Sequence, residues 1–219
     1  VGPTNPHLVT IAISDPPDAW RAAGFSVDER GRCRLGATTL ALGVTGPSPV
    51  VGWALEGVDA SVAGLPTCAR VEGGPDRHPN GVVSIDHVVV HAERPAAAVT
   101  GFEAAGFDLR GTRTTTSYGS VMDQHFFWAG DVIVELIGPA EEPADADPTS
   151  GAAFVGLALV AEDLDATAAH LGELLSGPKD AVQPGRRIGG LRGGSVGITV
   201  PLVVMSPHPA GGPTRTDPD

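Results

Sequence analysis

Positive charge is scarce in this chain. Its 219 residues carry 14 lysines and arginines against 26 aspartates and glutamates, a net charge of −12 and a pI of about 4.8. Nucleic acid and anionic membrane surfaces call for a basic face, so neither is expected as a partner. A small substrate is not excluded, because a pocket can be locally basic. Cysteine is almost absent, with only Cys33 and Cys68. They lack metal-type spacing and permit a disulfide without demanding one, so a reducing cytoplasm is the expected location. No apolar run approaches the length needed to span a bilayer. The opening Val-Gly-Pro-Thr-Asn-Pro has neither the pattern of a signal peptide nor an initiator methionine, which reads as a trimmed or processed start.

Glycine and proline are plentiful, at 30 and 20 residues, and hydrophobic content is an ordinary 42%. That balance favours a globular protein of many short strands with tight connections over one of long helices. The length suits one large domain or two small ones.

Residues 84–139 organise the chain as one βαβββ unit. A first strand is expected over 85–91, β-branched at nearly every position and so buried on both faces. A helix over about 95–105 opens on Pro95 and stops at Gly106. After a Thr-rich segment, strands over 124–128 and 132–137 flank Ala129-Gly130-Asp131, a hairpin signal. Two polar residues interrupt the apolar runs. Side chains alternate along a strand, so His87 shares a face with Val89 and His91, and Glu135 shares one with Ile133 and Ile137. A buried carboxylate is costly unless it is paired or bound to a metal. From the residues alone, the plainer account of both is a hydrogen-bonded core histidine and a rim glutamate.

The motif Ile85-Asp86-His87-Val88-Val89-Val90, the helix end Ala105-Gly106-Phe107 and the run Phe127-Trp128-Ala129-Gly130-Asp131-Val132-Ile133-Val134-Glu135-Leu136 together resemble a module of the vicinal oxygen chelate superfamily. That group includes glyoxalase I, bleomycin resistance proteins and extradiol dioxygenases. The resemblance implies paired modules curled into a cup for a metal or small ligand. It also implies that His87 and Glu135 occupy the usual metal-ligand positions. It speaks for the fold and not for one reaction.

The same pattern recurs along the chain. Arg21-Ala22-Ala23-Gly24-Phe25 mirrors Glu103-Ala104-Ala105-Gly106-Phe107, within a shorter first copy that begins with a strand over 8–14. A second copy starts at Val51 and matches Val155-Gly156-Leu157-Ala158-Leu159, then Asp163-Leu164-Asp165-Ala166 and the helix beyond; it is cut short after Leu65 with room for about one more strand, and ends at Gly73-Gly74-Pro75. A fourth module spans about 153–207, with a helix over 165–175 capped by Asp163 or Asp165, and strands over 186–192 and 200–205. The expected fold is α+β: repeated βαβββ modules forming curved mixed sheets, a glyoxalase-like cup, with the N-terminal pair shortened. The expected organisation is a degenerate unit over 1–80, a glyoxalase-like domain over 82–207 and a flexible tail over 208–219.

Carried onto the fourth module, the resemblance puts Gly156 where His87 would be and Val203 where Glu135 would be. A divalent metal (Zn, Ni, Mn or Fe) would therefore find two of the usual four ligands, His87 and Glu135. His91, Gln124 or His125 could fill the gap, or a homodimer could pool two His and two Glu across its axis. His125 and Trp128 lie on opposite faces of their strand, so one alone can face the cup. Arg187 and Arg192 are candidate anchors for a substrate carboxylate or phosphate, or else surface charges balancing acidic neighbours. Three functions follow. The first is a cup binding a small organic molecule beside a degenerate metal site, as in the resistance proteins. The second is a glyoxalase-type lyase or isomerase with Glu135 as base and His87 as ligand, or the same two residues as a metal-free acid–base pair. The third is ring-cleaving oxygenation.

Overall fold

The computed structural model describes residues 5–58, 61–116, 119–147 and 149–209. The N-terminal part contains β1 (His7–Ile13), α1 (Pro17–Ala22), β2 (Arg32–Leu35), β3 (Thr38–Leu42) and β4 (Val50–Glu56). They form a four-stranded sheet in the order β2-β3-β1-β4. β1 runs parallel to β3, and both outer pairings are antiparallel. This is a βαββ copy, one strand short, with a single strand left of the second copy. The helix expected after β4 does not form among the described residues, and the further strand is reduced to an isolated bridge between Trp53 and Thr67. Pro66, Pro75 and Pro79 lack backbone donors, and Gly73 and Gly74 both take positive φ, so neither regular ladder can propagate.

The C-terminal part continues with β5 (Val82–His91), α2 (Pro95–Ala104), β6 (Leu109–Thr115), β7 (Met122–Ala129), β8 (Val132–Pro139), β9 (Ala153–Ala161), α3 (Leu164–Leu171), β10 (Lys179–Asp180), β11 (Arg187–Leu191) and β12 (Leu202–Met205). Its eight strands lie in the order β10-β11-β12-β9-β5-β8-β7-β6. Each half therefore repeats one path. The first strand lies innermost, the fourth runs parallel beside it, and the third and second follow outward. The two first strands, β5 and β9, pair antiparallel at the centre. The duplicated βαβββ pattern is thus present in full, with β10 cut to two residues.

Local chemistry explains the elements. α2 starts with proline at its first position, where no amide donor is needed. α3 is capped by Asp163, which accepts from the amides of Asp165 and Ala166. It closes at Leu171 and a 3₁₀ turn follows, shorter than the expected helix. The β7–β8 hairpin turns on Gly130 at φ 73°, the first central position at which a type II′ turn takes glycine.

β5 is not buried on both faces as expected. Val88 and Val90 are fully buried, whereas His87, Val89 and His91 are partly open on the other side. The pairing of β5 with β9 slips at three places, and one slip leaves Asp86 as an extra residue between Ile85 and His87. Such bulges bend a strand and re-aim side chains. Here the bulge brings Asp86 and His87 onto the same side.

The two sheets share one hydrophobic core. Trp53 of β4 stacks on Phe107 and meets Phe102 and Phe154 edge-on, while Phe102 stacks on Phe127 at 4.8 Å. Buried Asp15 ties the parts at a second point. It accepts from the Thr199 amide at 2.8 Å, the Thr199 hydroxyl at 2.6 Å and the Trp20 indole at 3.4 Å.

Candidate functional site

The open face of the eight-stranded sheet holds a cleft of about 430 Å³, within the range of small-molecule pockets. His87, Glu135, Gln124, Arg113 and Asp86 supply its polar lining, and Phe126, Ile133, Ile188 and Met205 its apolar lining. Side chains from both modules contribute, because β5 and β8 lie beside β9, β12 and β11.

The polar groups form one connected row. At its buried end Arg186, fully covered, donates from Nη2 to Asp86 Oδ1 at 2.7 Å. It also donates to the Ser206 carbonyl from Nε and Nη2, and from Nη1 to Gln183 Oε1. Burial alone would raise the Asp86 carboxyl. Hydrogen bonds from His87 and Arg186 and their positive charge reverse this and hold it well below the usual carboxylate range. Asp86 is therefore an ionised acceptor, and His87 donates to its Oδ2 from Nδ1 at 2.8 Å. That bond turns His87 Nε2 toward Glu135 Oε2, 3.3 Å away. The other Glu135 oxygen accepts from Gln124 Nε2, and Gln124 Oε1 accepts from Arg113 Nε at 2.7 Å. Arg113 in turn lies over the Phe126 ring at 5.9 Å. With Nδ1–H committed to Asp86, the contact between Nε2 and a carboxylate oxygen is attractive when one proton lies between them. The row can therefore hold and pass a proton at the floor of the cleft.

Of the residues singled out in the sequence, the fold brings His87, Glu135 and Gln124 together in the cleft. The others are elsewhere. His91 is at the end of β5 and Trp128 further along β7, both outside the cleft lining. His125 is on the opposite face of β7 from Gln124, with Nδ1 buried and unpartnered among the described residues. Arg187 is exposed and paired with Asp165 at 2.8 Å, and Arg192 donates toward the Glu173 carbonyl. The strand alternation that puts Arg186 against Asp86 turns Arg187 outward. His208, expected in a flexible tail, is held 3.2 Å from Asp86 and 3.3 Å from Arg186 Nη1. The remainder of that tail, 210–219, falls outside the described residues. Asp86, Arg186 and Arg113 were not singled out. A bulge at Asp86 and the neighbour of each arginine decide their directions, and alternation read from sequence does not register a bulge.

The metal that the fold family implies does not fit the residues present. Among the described residues no three His, Cys, Asp or Glu side chains are grouped so as to hold an ion. The matching positions of the fourth module carry Gly156 and Val203. A side chain at Gly156 would start 2.5 Å from the Pro201 carbonyl oxygen, so that position has no room for a ligand.

The strand order is that of paired βαβββ modules in one mixed sheet, the architecture that the resemblance to the vicinal oxygen chelate superfamily implies. No family model and no curated protein matches the chain. Among solved structures it is similar to methylmalonyl-CoA epimerase from Mycobacterium tuberculosis, with 18% identity and a TM-score of 0.46 over 59% of this chain and 91% of that one. It is also similar to a hypothetical protein from Bacillus halodurans, with 16% identity and a TM-score of 0.43 over 57% and 95%. A third is a mutant of 4-hydroxymandelate synthase from Streptomyces coelicolor, with 16% identity and a TM-score of 0.42 over 86% and 64%. The statements about chemistry below rest on the cleft itself. Among the described residues no helix is long and apolar enough to cross a membrane.

Proposed function

We propose that this protein binds a small organic molecule in the cleft of its eight-stranded sheet, beside a metal site that has lost half its ligands. The observation that carries this reading is the cleft of about 430 Å³, with a hydrogen-bonded polar floor and apolar walls from both modules. Apolar walls supply affinity, and a few fixed polar groups set orientation. Native mass spectrometry of protein purified without chelator tests it. A retained organic mass, or one acquired from a small-molecule library and lost in Ile188→Trp, supports the reading. Binding that is indifferent to Ile188→Trp contradicts it.

A second reading is favoured by the contact between His87 and Glu135, with Asp86 orienting the imidazole. In it the pair catalyses proton transfer at a carbon next to a carbonyl. Glu135 takes the carbon-bound proton while His87 gives its Nε2 proton to the carbonyl oxygen. One C–H and one N–H bond break, and a carboxyl O–H and an enol O–H form. Reversal, after exchange of the Glu135 proton with solvent, returns a solvent-derived proton to the same carbon. No step through a metal is drawn, because the donor set does not fit one. The test is deuterium uptake from D₂O into 2-oxo acids and their esters, followed by proton NMR. Uptake that falls at least 100-fold in Glu135→Gln supports this reading, and uptake at the uncatalysed rate with wild-type protein removes it.

A further inference from the structure

Two guanidinium groups belong to this row: Arg113 lines the cleft, and Arg186 lies behind Asp86. Arg186 is spent within the protein. It is fully buried, and all its nitrogens are engaged by Asp86, Ser206 and Gln183. Arg113 is different. Its Nε donates to Gln124 Oε1, which fixes the plane of the group, and its guanidinium carbon lies over the Phe126 ring at 5.9 Å. It forms no ion pair among the described residues, and neither Nη has a hydrogen-bond partner there. The cation is therefore held by a buried amide, yet it stays exposed in the lining of the cleft.

We infer that Arg113 is the recognition group for a carboxylate, and that the ligand of the cleft is a small organic acid with an apolar body. The inference rests on the cup reading above and adds the class of molecule. A guanidinium with a fixed Nε presents its two Nη donors as a fork that matches the two oxygens of a carboxylate. The aromatic surface of Phe126, with Ile133, Ile188 and Met205, lines the space beside it. The other cleft charges do not compete. Asp86 and Arg186 cancel each other, and Glu135 is held by Gln124 and His87. Only one side chain, Gln124, separates the fork from the Glu135 carboxylate. An acid anchored at Arg113 therefore has its next carbons beside the proton-holding pair. In a chain of net charge −12 such a site draws its specificity from local geometry and not from the long-range field.

The experiment uses phenylacetate, 3-phenylpropanoate and 4-phenylbutanoate, each against its primary amide. Binding is read by calorimetry with wild-type protein, Arg113→Gln and Arg113→Lys at low salt. The expected result is a preference of at least 10-fold for one carboxylate over its amide in wild type. That preference should be abolished in Arg113→Gln and partly restored in Arg113→Lys. Equal binding of acids and amides by wild type would overturn the assignment to Arg113 and leave the cup reading standing. So would a preference that survives in Arg113→Gln. Binding of neither series to wild type, with Ile188→Trp equally inert in the library screen, would remove both.

Discussion

His87 and Glu135 touch diagonally. In the parallel pair β5–β8 the register sets His87 opposite Ile133 and Val89 opposite Glu135, yet the imidazole and carboxylate approach to 3.3 Å. The bulge at Asp86 and the hydrogen bond from His87 Nδ1 to that carboxylate account for the tilt.

Asp86 should therefore be the most stabilising charge of the site. Replacing it leaves Arg186 buried without a counter-charge, which costs about 3–5 kcal/mol. Asp86→Ala should lower the urea midpoint accordingly. The double change Asp86→Leu with Arg186→Met should recover much of the loss. Urea titrations of the wild type and both variants check this, and a cost under about 1 kcal/mol for Asp86→Ala would show that the pair is solvated.

The same carboxylate fixes an acid limb. Its folded pKa lies below the ordinary 3.8. Its contribution is therefore complete above that value and is lost as pH falls through the folded pKa. His78 acts near neutrality. Burial holds its imidazole below the ordinary 6.5, although the hydrogen bond to the Arg34 carbonyl and nearby Asp76 oppose this. Its Nδ1 accepts from the Ser26 amide at 3.1 Å, which requires the neutral ring. The unfolded chain takes up that proton first, so stability should fall as pH drops below about 6.5. Denaturation midpoints from pH 7.5 to pH 5 should show a slope that His78→Gln flattens.

The fold was legible where pattern and chemistry coincide. Pro95 and Gly106 bracket α2, Gly130 turns the β7–β8 hairpin, and the repeated Ala-Ala-Gly-Phe ends revealed the duplication. Two kinds of feature were not legible. The helix after β4 was inferred from resemblance between copies, but its proline- and glycine-rich continuation over 61–81 gives no ladder. His87 and Glu135 stand out as polar interruptions of apolar strands and as the ligand positions the resemblance implies, whereas strict alternation misses Asp86, because one extra residue in β5 reverses the direction of everything before it. Arg187 was chosen over Arg186 for want of the same information. Only the packing shows which of two adjacent arginines is turned inward.

The shared core predicts cooperative unfolding. Phe102 stacks on Phe127 of the large sheet and meets Trp53 of the small one edge-on. Phe102→Ala should cost about 3–5 kcal/mol. It should shift Trp fluorescence and far-ultraviolet dichroism together. Two separate transitions in the wild type would show that the sheets are independently stable.

Metal ligation should not be recoverable by a single substitution. Gly156→His meets the Pro201 carbonyl at 2.5 Å from its first side-chain carbon. It should cost about 1–3 kcal/mol through overpacking and add no zinc affinity in a competitive chelator titration. A tight stoichiometric zinc site in that variant would show that the β9–β12 connection yields easily.

The most direct test of the cleft as the ligand site is the imidazole nitrogen spectrum of ¹⁵N-histidine-labelled protein, titrated with whichever carboxylate probe binds best. The His87 signals, assigned by their loss in His87→Gln, should move at saturation, while those of His91, His125 and His170 stay in place. Saturable binding that leaves His87 unmoved, or moves His125 instead, would contradict the account.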